Sequence, residues 1–374
     1  MATLVSTFVL LMALVSPQLW SRTGSPSQLQ PIFLMIFIMT NVYWHGVRLP
    51  RTAAAQLILA GWTSLLLGGL ASIFFLFSPE LFLQELLRRV TLVMFLWSAF
   101  SAAAYSGKLL FSASVLAAVM VAVYGISLLL YYAGWSPLRD SGYFDAYPFG
   151  LLIPVAVYSN PLIFPETQLL AYFLIAIGML SAKAGHRWSK LHILSGLIQF
   201  GKGPLLGYVV SLFPRIARVI AIMMTLCLLI ALWLSMGGGG PPEAFDGDYG
   251  SLAERKYHID TVIDSMVGHP THGLLGYGLR QYGSYLATHS SAFGPDTVPL
   301  SVVQWIFEAG IPIAVLGLML VMAGSIGLPA GKLLSIGVYA FVAHLALPNP
   351  ADSAVLLVFA LLAGETERLH RGAA

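Results

Sequence analysis

Apolar side chains fill this chain in long, nearly continuous runs. They fall near residues 3–19, 32–47, 53–78, 90–106 and 109–133, then 165–182, 189–200, 203–213 and 217–236, and finally 301–325, 328–346 and 351–364. Hydrocarbon about 30 Å thick needs roughly 20 apolar residues per helix, so the pattern predicts about twelve membrane crossings, some of them short. The runs are continuous rather than alternating, which argues against a transmembrane β-barrel. Residues 147–164, "YPFGLLIPVAVYSNPLIF", are apolar but carry three prolines and a glycine. They read as a re-entrant or interfacial piece, since broken backbone at membrane depth survives only against protein or water.

Between the ninth and tenth crossings the pattern changes. Residues 237–300 are polar and open with "GGGGPPEAFDGDYG", a flexible acidic linker with no lysine-bearing helix start behind it to form a phosphate cradle. Next, "SLAERKYHIDTVIDSMV" spaces Leu252, Tyr257, Ile259, Val262, Ile263 and Met266 helically, predicting an amphipathic helix on the membrane surface or on the bundle. The expected fold is all-α, a polytopic transmembrane bundle of about 12 helices with one large outer loop. Residues 1–236 hold helices one to nine, 237–300 the loop, and 301–374 helices ten to twelve with a short cytoplasmic tail.

Composition agrees. With 58% hydrophobic and 9% charged residues and a mean hydropathy of +0.82, the chain lies outside the soluble range. The net charge of +3 gives no reason to expect nucleic acid. The lone Cys227 excludes a disulfide framework and a cysteine metal cluster. The N-terminal "MATLVSTFVLLMALVSPQLW" lacks a basic leader and a cleavage site, so it reads as a first spanning helix.

Charge sets the orientation, because short cytoplasmic loops retain lysine and arginine. With both termini inside, Arg48, Arg51, Lys108, Lys183, Arg187, Lys190, Arg215, Arg218, Lys332, Arg368 and Arg371 face the cytoplasm. Arg22, Arg88, Arg89, Arg139, Lys202, Arg255, Lys256 and Arg280 stay outside against the rule, as basic residues kept to hold an anion would.

The order of motifs adds a resemblance. "IQFGKGPLLGYVV" carries a basic residue after a short helix, "PRIAR" forms a basic turn, and the outer loop reads "SLAERKYHIDTVIDSMVGHPTHGLLGYGLRQYG" before "PDTVPLSVVQWIFEAGIPIAVLGLML". This arrangement, over roughly residues 135 to 345, resembles the O-antigen polymerase and O-antigen ligase superfamily. Its members are bacterial inner-membrane glycosyltransferases with one large periplasmic loop and a lipid-linked glycan donor. By that resemblance Lys202 stands where the family has an arginine, keeping the charge and losing the bidentate fork. Arg255 matches the loop arginine, Gly276 and Gly278 the turn preceding Arg280, and Gly310 the glycine that opens the next helix. The ligase branch's histidine position holds Pro299, which favours the polymerase branch; Asp296 and His289 are the nearest titratable groups.

The implied function is a polysaccharide polymerase at the periplasmic face. It would move a glycan from one polyprenyl diphosphate onto a repeat unit borne by another, with the bilayer and a chain-length regulator as further partners. Such transfer needs cations for the departing diphosphate and a base for the acceptor hydroxyl. Lys202, Arg255 and Arg280 fit the first need if they converge, and Arg88 and Arg89 would add a patch for the second lipid diphosphate. His289, Asp296 and Arg255 are the catalytic candidates, while Tyr277 and His272 would contact the glycan. Glu308 suits pairing with an arginine better than acting as a base. His45 and His344 lie in apolar helices, where hydrogen-bonded packing is expected. "HPTH" offers His269 and His272, but the intervening proline breaks the spacing and no third ligand is evident, so neither metal nor cofactor is expected. Two alternatives stay open, an O-antigen ligase acting on lipid A core or protein and a membrane transporter or flippase.

Overall fold

The computed structural model describes residues 2–14, 29–73, 76, 78–132, 167–198, 202–213, 219, 222, 250–289, 301–329, 331–345, 347 and 352–372. Among them the chain is helical throughout and forms no strand. The helices are α1 (Ala2–Leu14), α2 (Leu29–His45), α3 (Ala53–Leu67, prolonged by a 3-10 turn Gly68–Ser72), α4 (Pro79–Tyr105) and α5 (Lys108–Tyr132). Then come α6 (Thr167–Lys183), α7 (Ser189–Ile198), α8 (Lys202–Ser211), α9 (Gly250–Gly268), α10 (Pro270–Leu275) and α11 (Tyr282–His289). The chain closes with α12 (Ser301–Ala309), α13 (Ile311–Ile326), α14 (Lys332–Leu345) and α15 (Ser353–Gly372).

Helix α15 sits at the centre. It is apolar on every side, and every residue from Ser353 to Glu367 is buried, the pattern of a helix enclosed by others. α4 runs parallel to it on small residues, so close that a Cβ on Gly364 would meet Ala103. α3 runs the other way, with Trp62 against Phe359 and Thr52 bonded to Glu367. α13 lies antiparallel on α3 through a seam of small residues: Gly61 faces Gly317 and Val321, Gly68 faces Ile313, and Gly324 faces Ala54 and Ile58. The glycines of each helix are seven residues apart and so share a face. α6 packs on α7 at Gly178 and Gly196 and on α14 through the stacked pair Tyr172–Tyr339, and α8 on α14 at Gly207.

These directions give the bundle two ends. One gathers Ser72, Ser78, the turn after α10, Glu308 and Asp352 and is called the loop end. The other holds the α2–α3, α4–α5 and α6–α7 turns and the last turns of α15. The second end collects Arg48, Arg51, Lys108, Lys183, Arg368 and Arg371, all placed together by the charge pattern, while Arg88, Arg89, Arg280 and the backbone of Lys202 lie toward the first.

Several runs fold differently from expectation. The stretch 301–325 is two helices, not one. Gly310 breaks it at φ 79° as the N-cap of α13, and Pro312 follows in the first turn, where its missing N–H costs nothing. α7 and α8 have ten residues each, about 15 Å of helix, so neither spans the hydrocarbon alone. α4 begins at Pro79 rather than near residue 90, so "LQELLRRV" lies inside the helix rather than at its start. The loop helix expected over 251–267 is present as α9, with Val262, Ile263 and Met266 buried. Among the described residues, two stretches, Ala53–Ser72 and Pro79–Tyr105, are long and apolar enough to cross a membrane. Pro31–His45, Lys108–Ala122, Gln168–Lys183, Ile311–Ile326 and Lys332–Leu345 are shorter apolar helices. Residues 147–164 and 290–300, the latter including Asp296, lie outside the described residues, as does Cys227.

Candidate functional site

The polar residues of the loop end meet where α4, α12 and the turn 276–281 converge. Glu85 and Arg89 are four apart on α4 and Glu85 and Arg88 three apart, spacings that put the side chains on one face. Glu85 accepts from Arg88 Nε at 2.9 Å and from Arg89 Nε at 2.6 Å. Arg89, only 3% exposed, also reaches Glu308 on α12, donating from Nη2 to Oε2 at 2.9 Å and Oε1 at 3.2 Å. Its guanidinium carbon lies 5.0 Å from the centre of the Trp305 ring. Glu308 takes further donors from Gln304 Nε2 and from the backbone N–H of Arg280, the latter at 3.4 Å. Two buried acids and two arginines therefore balance in charge, which is the condition for keeping ions out of water. Asp352, capping α15 through the Ala354 N–H at 2.7 Å, is in electrostatic reach of Arg88.

The turn itself is built by glycine. Gly276 and Gly310 have φ of 76° and 79° and lie backbone to backbone. A Cβ on Gly276 would sit 2.3 Å from the Glu308 carbonyl oxygen, and one on Gly310 2.3 Å from that of Leu274. Only glycine allows both the dihedral and the approach. The turn then satisfies the free carbonyls at the end of α12: Tyr277 N–H donates to Phe307 O at 2.8 Å and Gly278 N–H to Glu308 O at 3.1 Å. Ser72 on the 3-10 turn donates to the Leu275 carbonyl. Gln281 exchanges two hydrogen bonds with the backbone of Ser78, at 2.8 and 3.1 Å. Arg280 is held at φ 56°, a left-handed conformation that a residue with a side chain adopts only when its surroundings impose it.

Beside this turn lies an aromatic stack. The Tyr277 ring is covered on one side by His272 at 4.2 Å and on the other by Phe307 at 4.7 Å, and its hydroxyl donates to Ser265 O at 3.0 Å. Both faces of the Tyr277 ring are thus covered, which leaves no open face for the glycan contact expected of it, while His272, the other residue expected to contact the glycan, is half-buried. Burial pushes the Tyr277 phenol up to about 12, against the opposing effect of the Ser265 hydrogen bond. Burial, helped by neighbouring His269, lowers His272 below the usual histidine value, leaving a neutral imidazole. Nearby, His258 Nδ1 and the Tyr282 hydroxyl lie 2.6 Å apart in a buried hydrogen bond.

The structure thus brings Arg88, Arg89, Arg280, Tyr277, His272 and Glu308 into one neighbourhood. Arg88 and Arg89 form an internally paired cluster rather than a bare cationic patch. Lys202 opens α8, Arg255 lies in α9 and His289 ends α11; their side chains, and all of Asp296, fall outside the described residues. Sequence reasoning named neither Glu85 nor Gln304. The Glu85–Arg89 spacing was a visible signal for the first, whereas Gln304 is picked out only by its partner one helical turn on. His344 packs against Trp62 at 4.8 Å, but both its ring nitrogens are buried without a partner, so its packing is aromatic rather than hydrogen-bonded. Among the described residues no group of three metal-ligating side chains occurs. No protein-family model, curated protein or solved structure matches the chain.

Proposed function

We propose that the chain is a multi-pass membrane protein of the bacterial inner membrane that polymerises a glycan carried on polyprenyl diphosphate, working at its loop end on the periplasmic side. The observation that carries this reading is the convergence of Arg88, Arg89 and Arg280 around Glu308, where the loop turn docks onto the helix ends. Membrane residence is supported by the two long apolar helices and by apolar residues left exposed on helix faces. Leu83, Leu87, Val90 and Met94 on α4 and Leu205, Leu206 and Val209 on α8 are examples, and hydrocarbon is the solvent that suits them. The remaining crossings of the twelve-helix expectation belong to the same proposal.

In this reading the bond from the donor's anomeric carbon to the diphosphate breaks, and the diphosphate leaves with the electron pair. The acceptor hydroxyl oxygen forms the new glycosidic bond and passes its proton to a base. Arg280, Arg255 and Lys202 stabilise the leaving charge, because cations fixed in a site poor in water act more strongly than in solution. Arg89 holds Glu308, and so the turn carrying Arg280, in place, while Arg88 pairs with Glu85 beside it. His289, Asp296 and the neutral His272 are the base candidates. Reconstitution with a defined lipid-linked oligosaccharide tests this: the native chain should yield a ladder of longer glycans, and Arg255→Ala and Arg280→Ala should not, at undiminished abundance. A normal ladder from both variants removes the assignment. In a deletion strain, single repeat units on the acceptor indicate a polymerase, and unattached lipid-linked polymer a ligase.

One observation favours a second reading. Glu85, Arg89 and Glu308 are ionisable groups buried within helices, a feature of transport pathways. Movement of the lipid-linked oligosaccharide across the vesicle membrane without elongation would select that reading.

A further inference from the structure

The end of the bundle opposite the candidate site has an unusual division of charge. Its two described acids, Glu365 and Glu367, are buried, and each is held by neighbouring donors. Glu365 pairs with Lys183 at 3.1 Å and Arg368 at 2.8 Å. Glu367 accepts the backbone N–H groups of Arg51 and Thr52, both at 2.6 Å, and the Thr52 hydroxyl at 2.9 Å. The exposed charges left at this end are all basic among the described residues: Arg51, Lys108, Arg187, Lys190 and Lys332. Surface acids that would neutralise them are missing from every described turn of this end. That arrangement presents a field of one sign to whatever lies beyond it.

Large aromatic rings frame the same end. Tyr43 is 81% exposed, Trp44 70% and Trp188 62%, and each stands beside a basic turn. Such rings are favoured at the level of lipid headgroups, with an apolar body and a polar edge. Between the α2–α3 and α4–α5 turns the two features combine. The Arg48 guanidinium lies 5.0 Å from the centre of the Tyr105 ring, the His45 ring lies tilted against that same ring with 4.8 Å between centres, and both Arg48 and Lys108 are in electrostatic reach of His45. Two cations and an exposed tyrosine thus cluster at the rim, at the end of α2 that also carries the exposed apolar residues Met39 and Val42.

We propose that this end is a docking surface for the anionic phospholipid headgroups of the adjoining leaflet, gripped at the rim by Arg48 and Lys108 beside Tyr105. The partner follows from complementarity: a negatively charged headgroup joined to acyl chains meets the cations above and the apolar helix faces below. This inference rests on the multi-pass membrane reading but not on glycan transfer. The withheld acids give it a physical purpose, since an exposed carboxylate among these cations would repel the headgroups.

The full chain, reconstituted in phosphatidylcholine vesicles containing either nitroxide-labelled phosphatidylglycerol or nitroxide-labelled phosphatidylcholine, provides the test. Electron paramagnetic resonance reads the share of each label immobilised on the protein. The native chain should prefer the anionic label by about fivefold or more, the effect expected of one basic side chain at a charged surface. Arg48→Gln with Lys108→Gln should lose most of that preference, and raised salt should weaken it. Should that pair fail to fold, Arg187→Gln with Lys190→Gln, on the separate α6–α7 turn, should still reduce it. Equal shares of the two labels on the native chain overturn the inference, as does displacement of the anionic label by soluble glycerol phosphate, which would mark a site for free phosphate instead. A chain that does not float with the vesicles at all overturns the membrane reading itself, a result distinct from equal shares on an inserted protein.

Discussion

Glu308 holds more of the loop end together than any neighbouring side chain. It receives Arg89, Gln304 and the Arg280 backbone, so its removal strands a buried guanidinium. Glu308→Ala should destabilise the protein by about 3–5 kcal/mol, as breaking a buried ion pair does, read by thermal unfolding in detergent. At the opposite end Glu367 predicts a pH effect. Burial alone would raise its carboxyl, but the hydrogen bonds from Thr52 and Arg51, with Arg371 nearby, outweigh this and hold it below the ordinary 4.5. A carboxyl lowered on folding stabilises fully above its unfolded value, and that contribution disappears as pH falls through the folded value. Unfolding temperature should therefore drop below pH 4.5, and Glu367→Gln should be less stable at neutrality with a shallower acid decline. An unchanged slope would show that another group controls the acid limb. The pairing of Glu308 with an arginine was readable from its place before Gly310. Which arginine was not, because Arg89 lies 219 positions away and nothing local links the two.

At the scale of elements, the amphipathic periodicity of residues 251–267 was legible because its polar face contrasts with an apolar one. The division of 301–325 was not. Its apolar residues continue through Gly310, and only the contact with Gly276, from a distant turn, shows why the backbone must break there. The α3–α13 seam depends on glycine for the same steric reason. A Cβ at Gly61 would lie 2.7 Å from the backbone nitrogen of Val321. Gly61→Val should thus cost about 1–3 kcal/mol by overpacking, measurable as a lower unfolding midpoint with helix content retained. Gly276→Ala should instead spare the seam and displace the turn. In reconstituted vesicles, under the proposed function, it should lose glycan elongation more than it loses stability.

For the whole molecule, charge was the most readable feature. Lysines and arginines far apart in sequence were sorted into two groups by the orientation rule, and the folded helices carry the described members of each group to opposite ends. The sorting works because a helix cannot move a charged residue away from its own terminus, whereas the acids that neutralise such residues come from any helix. A topology experiment follows: cysteines introduced at Ala184 and Gly268, both exposed, should react with impermeant reagent from opposite sides of the membrane. Labelling of both from one side would refute the two-ended arrangement.

The meeting of Gly276 with Gly310 also limits how the outer loop can respond to a substrate. Two amides of the turn are fastened to consecutive carbonyls of α12, and no side chain lies between the strands of backbone to yield first. Lifting the turn must break both fastenings together while baring the end of α12 and loosening Glu308. The docked and undocked forms would then be separated by a single cooperative step, with Arg280 delivered or withdrawn as a whole.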